Sequence, residues 1–273
     1  MTSNAQQIEY WNGAVGERWA RLQETIDGNL ASITEGLMSF AAAKPGERVL
    51  DIGCGCGTAT IMLSKAVGPS GDVTGVDISA PMLAVARSRG ASANFLEADA
   101  SVHLFKPTHN LVFSRFGVMF FADPTTAFAN IRKAVAPHGR LAFVCWRAVQ
   151  DNPWSTAPFA AARDLLPAQE PMDPLAPGPH AFADDARLKG ILSQAGFRNI
   201  RIEKLDSTMN MGATADEAAA QALNIGLLAR AVAELDKATR EKIRARARDA
   251  LAKFAGPQGI TPPAACWLVG ATL

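Results

Sequence analysis

The chain has 273 residues, 48% of them hydrophobic and 19% charged, which is ample core for one large α/β domain or two small ones and too apolar for a disordered chain. Its formal net charge of +1 supplies no general field toward nucleic acid or an anionic membrane surface. No basic-then-apolar leader and no apolar run of bilayer length occurs, so the expectation is a cytoplasmic protein without stable membrane insertion.

Residues 1–43 read as helical but interrupted. Trp11, Val15, Trp19, Leu22 and Ile26 recur at helical spacing, while Gly13 and Gly16 break propensity. Ile33, Leu37 and Phe40 continue the pattern up to the stop signal Lys44-Pro45-Gly46. A regular alternation of strand and helix follows. Strands are predicted over 49–52, 73–78, 94–98, 111–114 and 141–146, the last a continuous apolar run suited to a sheet covered on both faces. Helices are predicted over 58–67, then after Ser79 as cap, with Met82, Leu83 and Val85. Another opens at Asp123-Pro124, with Ala127, Phe128, Ile131 and Val135 on one face and Pro137-His138-Gly139 as its end. Alternating units of this kind imply a parallel, doubly wound sheet with ligands bound beyond the carboxyl ends of the strands.

The rhythm changes after Trp146. Residues 150–183 are proline-rich and irregular around one predicted helix, 154–166. Asp184 opens a helix with Leu188, Ile191, Leu192 and Ala195 on one face, ended by Gly196. A strand is predicted over 200–209. Thr214 and Glu217 form a capping box that starts a helical region to about residue 254, and 265–272 is the last strand. In that region Arg240, Lys242, Arg244, Arg246 and Arg248 oppose the apolar stripe Ile243, Ala247, Leu251 and Phe254, as on a solvated helix face. The four cysteines, Cys54, Cys56, Cys145 and Cys266, lack ligand spacing such as C-x-x-C. They read as reduced, space-filling thiols, with no metal site expected.

The most informative stretch is 48–58, Arg-Val-Leu-Asp-Ile-Gly-Cys-Gly-Cys-Gly-Thr. A strand runs into a loop with Gly53, Gly55 and Gly57 in alternation, and then into a helix. That arrangement places a ligand over a helix N-terminus. The dinucleotide fingerprint G-x-G-x-x-G would need its third glycine at Thr58, but here it comes at Gly57.

With Asp51 in front of it, this motif resembles motif I of the class I S-adenosylmethionine-dependent methyltransferases, of the small-molecule type exemplified by ubiquinone/menaquinone C-methylases. The resemblance covers roughly residues 47–147 by the order and spacing of several motifs and is looser outside them. It implies an α/β fold: a doubly wound, mostly parallel seven-stranded sheet, closed by an antiparallel pair, with helices on both faces and a helical lid. It also implies one methyltransferase domain over 1–273. Its parts would be an N-terminal helical lid (1–43), a cofactor-binding core (44–149), an insert with a helix (150–199), and the last two strands with a helical insertion (200–273).

The implied cofactor is S-adenosyl-L-methionine. By the resemblance Gly53, Gly55, Gly57 and the adjoining Thr58 let the backbone approach it, and Asp51 helps hold its α-amino group. Asp77 accepts from both ribose hydroxyls, since a carboxylate offers several lone pairs. Ile78 and Met82 sandwich the adenine, while Asp99 and the Ala100 amide meet its edge. Ser114 and Arg115 border the methyl donor and the acceptor. Arg18 meets the carboxylate in two-point geometry. Tyr10 and His180 complete the catalytic candidates with Arg115, His180 as a base. Plainer roles stay open beside these: Asp77 as a helix cap, Asp99 as a turn residue, Arg115 in an ordinary ion pair, Trp11 and Trp19 as core, and His180 as a surface residue. His103, His109 and His138 read as structural.

The implied reaction is methylation of oxygen, carbon or sulfur by in-line displacement on a small, largely apolar acceptor, with no nucleic-acid partner. Leucines such as Leu223, Leu227 and Leu228 would line its pocket, or else pack helices or form a homodimer surface. Two alternatives accompany this reading: a nicotinamide-dependent oxidoreductase on a Rossmann-like sheet, and a non-methylating binding or cyclase-like member of the same fold.

Overall fold

The computed structural model describes residues 4–90, 92–168 and 173–273. Four helices precede the first strand: α1 (Ala5–Asn12), α2 (Ala14–Arg21), α3 (Gln23–Asn29) and α4 (Ala31–Ala41). Gly13 breaks the first pair as expected, with extended backbone between them. Gly16 does not break anything. It is buried within α2, where a Cβ would stand 1.8 Å from the Trp11 carbonyl oxygen, so it is a close-contact glycine.

The alternating region runs β1 (Arg48–Ile52), α5 (Thr58–Val67), β2 (Asp72–Asp77), α6 (Ala80–Ser88), β3 (Asn94–Glu97), β4 (His109–Arg115), α7 (Pro124–Arg132) and β5 (Val135–Trp146). Asp123 caps α7 by accepting from the Thr126 amide at 3.0 Å, with Pro124 at the first helical position. That helix ends sooner than its apolar face suggests. Val135, expected on it, pairs with His109 in the sheet, and β5 begins before Pro137 with an irregular register.

Beyond β5 come α8 (Pro153–Ala161), α9 (Asp185–Gln194), β6 (Arg198–Thr208), α10 (Ala215–Ala222), α11 (Gly226–Ala231) and α12 (Lys237–Leu251). A small hairpin of β7 (Ala255–Gly256) and β8 (Gly259–Ile260), not foreseen in the sequence, leads into β9 (Pro263–Thr272). The helix expected over 154–166 is shorter, with a separate 3-10 turn at Arg163–Leu165. Residues 169–172 of the proline-rich segment lie outside the described residues. The helical region after Thr214 is three helices, its first capped by Thr214 through the Glu217 amide at 3.2 Å.

The sheet has seven strands in the order β3-β2-β1-β4-β5-β9-β6. The first five are parallel. β9 is antiparallel to both β5 and β6, between which it lies. The crossovers reverse direction between β1 and β4, and a crevice opens there beyond the strand ends. Core side chains such as Leu50, Leu111, Phe113 and Phe143 are fully buried, as covering both sheet faces requires. No helix among the described residues is long and apolar enough to cross a membrane.

Candidate active site

β1 delivers its chain into the loop at Gly53, Gly55 and Gly57, all with positive φ (66°, 54° and 80°), which glycine adopts without a Cβ penalty. Two of these glycines also serve packing. A Cβ at Gly53 would lie 2.6 Å from the Gly117 Cα, and one at Gly57 would lie 2.9 Å from the Phe95 ring. At Gly55 a Cβ would stand 2.8 Å from the end of the flexible Met82 side chain, the one atom within 4 Å. Gly53 and Gly55 line a cavity of about 260 Å³ at the strand ends; Gly57 and Thr58 do not. The Thr58 hydroxyl instead donates to Asp27 and accepts from Arg89 at 2.6 Å. Ser114 is likewise off the cavity. Its hydroxyl donates to the Ile52 carbonyl at 2.7 Å and accepts from the Gly117 amide at 3.1 Å, locking the loop after β4 to the end of β1.

Four acids line the cavity: Asp27, Asp51, Asp77 and Asp99. Asp51 is buried on β1, and its Oδ2 accepts from the Thr60 hydroxyl at 2.7 Å. Its Oδ1 is buried without a partner, and burial pushes its pKa up to about 7. Asp77 ends β2 and is also buried. It accepts from the Gly55 amide at 2.7 Å and the Ser79 amide at 2.8 Å, and burial still raises its pKa. Each of its oxygens retains a lone pair. Asp99 folds its own turn through the Ser101 amide and hydroxyl, at 2.9 and 2.7 Å, and lines the cavity as well. Ile78, Met82 and Ala100 are on the same wall.

The N-terminal helices contribute to the lining of the cavity. Ser79 does not cap α6 with its hydroxyl, which donates to the Trp11 carbonyl at 2.7 Å. Asn12 supplies the cap from α1, accepting from the Ala80 amide at 2.9 Å and donating to the Ile78 carbonyl at 2.8 Å. From these helices Arg18 and Gln7 line the cavity, with the Arg18 Nε and the Gln7 Oε1 buried and unpartnered. Arg18 and the Oδ1 of Asp51 are therefore a cation and an acid on one cavity, each with unspent capacity.

Arg115 is not free at the transfer point. It binds Asp27 at 2.9 Å and the Thr34 hydroxyl at 3.1 Å, which ties α3 and α4 to the end of β4. Asp27, which also accepts from Gln23, was not singled out in the sequence. The far wall is aromatic. Phe116, held at φ 63°, stacks on Trp146 at 4.4 Å, and Trp146 meets Trp154 at 5.1 Å. Trp11 packs edge-on against Tyr10, Trp19 and Phe120, and Tyr10 is 38% exposed at the rim. His180 is half-buried beside them, its Nδ1 3.0 Å from the Arg147 carbonyl. A carbonyl only accepts, so Nδ1 carries the proton and Nε2 the lone pair. Burial first, and Arg230 in part, lower its pKa against the opposing effect of that hydrogen bond, so the ring is neutral at neutral pH.

Comparison with known proteins bears on the family and the fold. The family described as Methyltransferase domain matches residues 49–139. The ubiquinone/menaquinone biosynthesis C-methyltransferase of Pseudomonas aeruginosa is 31% identical over 178 residues, 60% of this chain and 70% of that protein. The chain belongs to the class I S-adenosylmethionine-dependent methyltransferases. Within them it resembles the ubiquinone/menaquinone C-methylases. The C-methyltransferase of Stutzerimonas stutzeri is 27% identical over 215 residues, 73% of this chain and 84% of that protein. The same fold occurs in phosphoethanolamine N-methyltransferase 2 of Haemonchus contortus in complex with S-adenosyl-L-methionine. That match has TM-score 0.58 and 17% identity over 100% of this chain and 60% of that one. The methyltransferase uses S-adenosylmethionine, and the nicotinamide alternative falls away. Its cavity suits that donor chemically: an unpartnered acid and cation for an amino-acid zwitterion, a buried carboxylate for hydroxyls, and an apolar slot beside Ile78 and Met82.

Proposed function

We propose that this methyltransferase methylates a small hydroxylated aromatic ring that lies along Phe116, Trp146 and Trp154. The observation that carries the reading is that one continuous cavity joins the glycine loop and its acids to that aromatic wall. Flat apolar rings bury well against such side chains, and the few polar groups fix orientation. Relatives named for ubiquinone and menaquinone biosynthesis support a ring acceptor of this kind.

S-adenosylmethionine brings an activated sulfonium methyl group, so the chain's own task is mainly positioning. Asp51 and Arg18 hold the two charged groups of its amino-acid end, Asp77 accepts from the ribose hydroxyls, and Ile78 and Met82 flank the adenine, with Asp99 and Ala100 at its edge. His180, neutral and with Nε2 as acceptor, takes the acceptor's hydroxyl proton. Tyr10 closes the rim. Arg115 acts through Asp27 as a positioning residue. Helices α1 and α2, with α8 and the residues around His180, serve as a cover that keeps water out, and alignment in a dry site is worth several kcal/mol of barrier.

Initial rates with methyl-labelled S-adenosylmethionine test this against catechols and quinols, aliphatic thiols, and tRNA. Turnover is expected with the rings. Salt-sensitive turnover of tRNA alone would overturn the substrate class and leave the fold and cofactor standing.

A further inference from the structure

We infer that the acceptor carries a carboxylate, received by Arg230 at the end of the cavity remote from the glycine loop. This inference rests on the ring-acceptor reading above and names its charge. The acids lining the cavity belong to the glycine loop, the ends of the neighbouring strands and α3. Asp51, Asp77 and Asp99 stand at the glycine loop, and Asp27 is committed to Arg115. At the other end Trp154, Ser155, His180, Leu227 and Arg230 line the wall with no acid among them.

Of the arginines on the cavity, Arg115 is matched by Asp27, while Arg18 stands beside the glycine-loop acids. Arg89, Arg115, Arg140 and Arg147 each meet a carboxylate. The Arg230 guanidinium has no hydrogen bond and no ion pair among the described residues. It keeps access to water, so the cation persists at little cost until an anion replaces that hydration.

Its placement is built into the fold. Gly226 opens α11 at φ 79°, where a Cβ would stand 2.8 Å from the Ser155 hydroxyl and 2.9 Å from the Trp154 ring. The Leu227 amide donates to that same hydroxyl at 3.1 Å. The first turn of α11 therefore sits flush on α8, and Arg230 follows one turn later, on the cavity. Its charge is felt at His180, whose pKa it helps to lower. A guanidinium next to an aromatic wall receives a planar ring acid well, since its donors match a carboxylate at two points. The carboxylate fixes the ring's direction in a pocket whose other walls are mostly apolar and carry little orientational information.

The test uses the full chain saturated with S-adenosylhomocysteine. Three matched pairs are titrated: 4-hydroxybenzoate, 3,4-dihydroxybenzoate and 2-naphthoate, each against its carboxamide. At least one acid is expected to bind tenfold or more tighter than its amide. Arg230→Gln should erase that preference, Arg230→Lys should keep part of it, and affinity for S-adenosylhomocysteine should stay unchanged in both. In turnover the loss should fall on KM for the acids rather than on kcat. Equal affinity for acid and amide in every pair, no binding of any probe, or a loss in Arg230→Gln shared equally by acids and amides would each overturn the inference. The ring-acceptor reading fails separately, if neutral catechols and quinols are not methylated either.

Discussion

Asp51 spends one oxygen on Thr60 and leaves the other buried without a partner, so its proton is held up to about pH 7. Raising an acid's pKa on folding means the native state keeps a proton that the unfolded chain releases. The ligand-free protein should therefore lose stability as pH rises from about 4 to about 7, with Asp77 adding in the same direction. A bound ammonium favours the ionised form of Asp51. Affinity for S-adenosylhomocysteine should accordingly fall below pH 7, by up to about tenfold per pH unit. Calorimetric titration from pH 5 to 8 measures this, and Asp51→Asn should remove the part of the slope centred near 7. A flat profile in the native protein would separate Asp51 from the ammonium. Asp77→Asn tests a second contact. It keeps an acceptor for one of the two backbone donors at Gly55 and Ser79, so the fold should survive while cofactor affinity drops roughly tenfold to a hundredfold. These acids were legible because each lies at the carboxyl end of a strand in a fixed local pattern. Asp27 was not, because its partners Thr58 and Arg115 are 31 and 88 residues away.

At the scale of elements, strands and helices with strong local signals appeared where the sequence placed them: α5 after the glycine loop, α7 after Asp123-Pro124, α9 after Asp184. Tertiary pairing overrode periodicity at Val135, which fits the face of α7 but takes a place in the sheet. Ser79 misled for a related reason: the cap it offered α6 comes from Asn12, on a helix distant in sequence. The N-terminal helices are thus held by two devices, the Asn12–Ser79 clip and the Asp27–Arg115 pair. Both groups of that pair are largely buried, at 16% and 15% exposure, so removing one leaves the other charged and unmatched. Asp27→Ala should cost about 3 kcal/mol in denaturant unfolding, near the lower figure for a broken buried pair. The double variant Asp27→Leu/Arg115→Met should recover more than half of that loss. If the single variant were neutral, the pair would be solvated in practice, and α3 would need another tether.

For the whole molecule, the sheet was readable because a buried parallel sheet writes itself as repeated apolar runs, whereas the elements beside its crevice have no such period. The N-terminal helices and α8 are short elements joined by glycine breaks and prolines, and only the assembled structure shows residues from them, with Pro179 and His180, lining one cavity with the glycine loop. If they act as a cover, ligand binding must tighten them as well as the loop. S-adenosylhomocysteine at 100 times its dissociation constant adds about 2.7 kcal/mol, which for a chain of this size raises Tm by roughly 5–10 °C. NAD and NADP should produce no shift, since Gly57 sits where the dinucleotide loop has none. Hydrogen exchange should show the accompanying change: amides in 5–21 and 153–168 exchange quickly in the free protein and slow on binding, while β1, β4 and β5 are slow in both states. A thermal shift with exchange slowed only at 51–58 and 77–82 would mean that the donor site forms without the cover. The aromatic wall would then have to close through the acceptor's own binding.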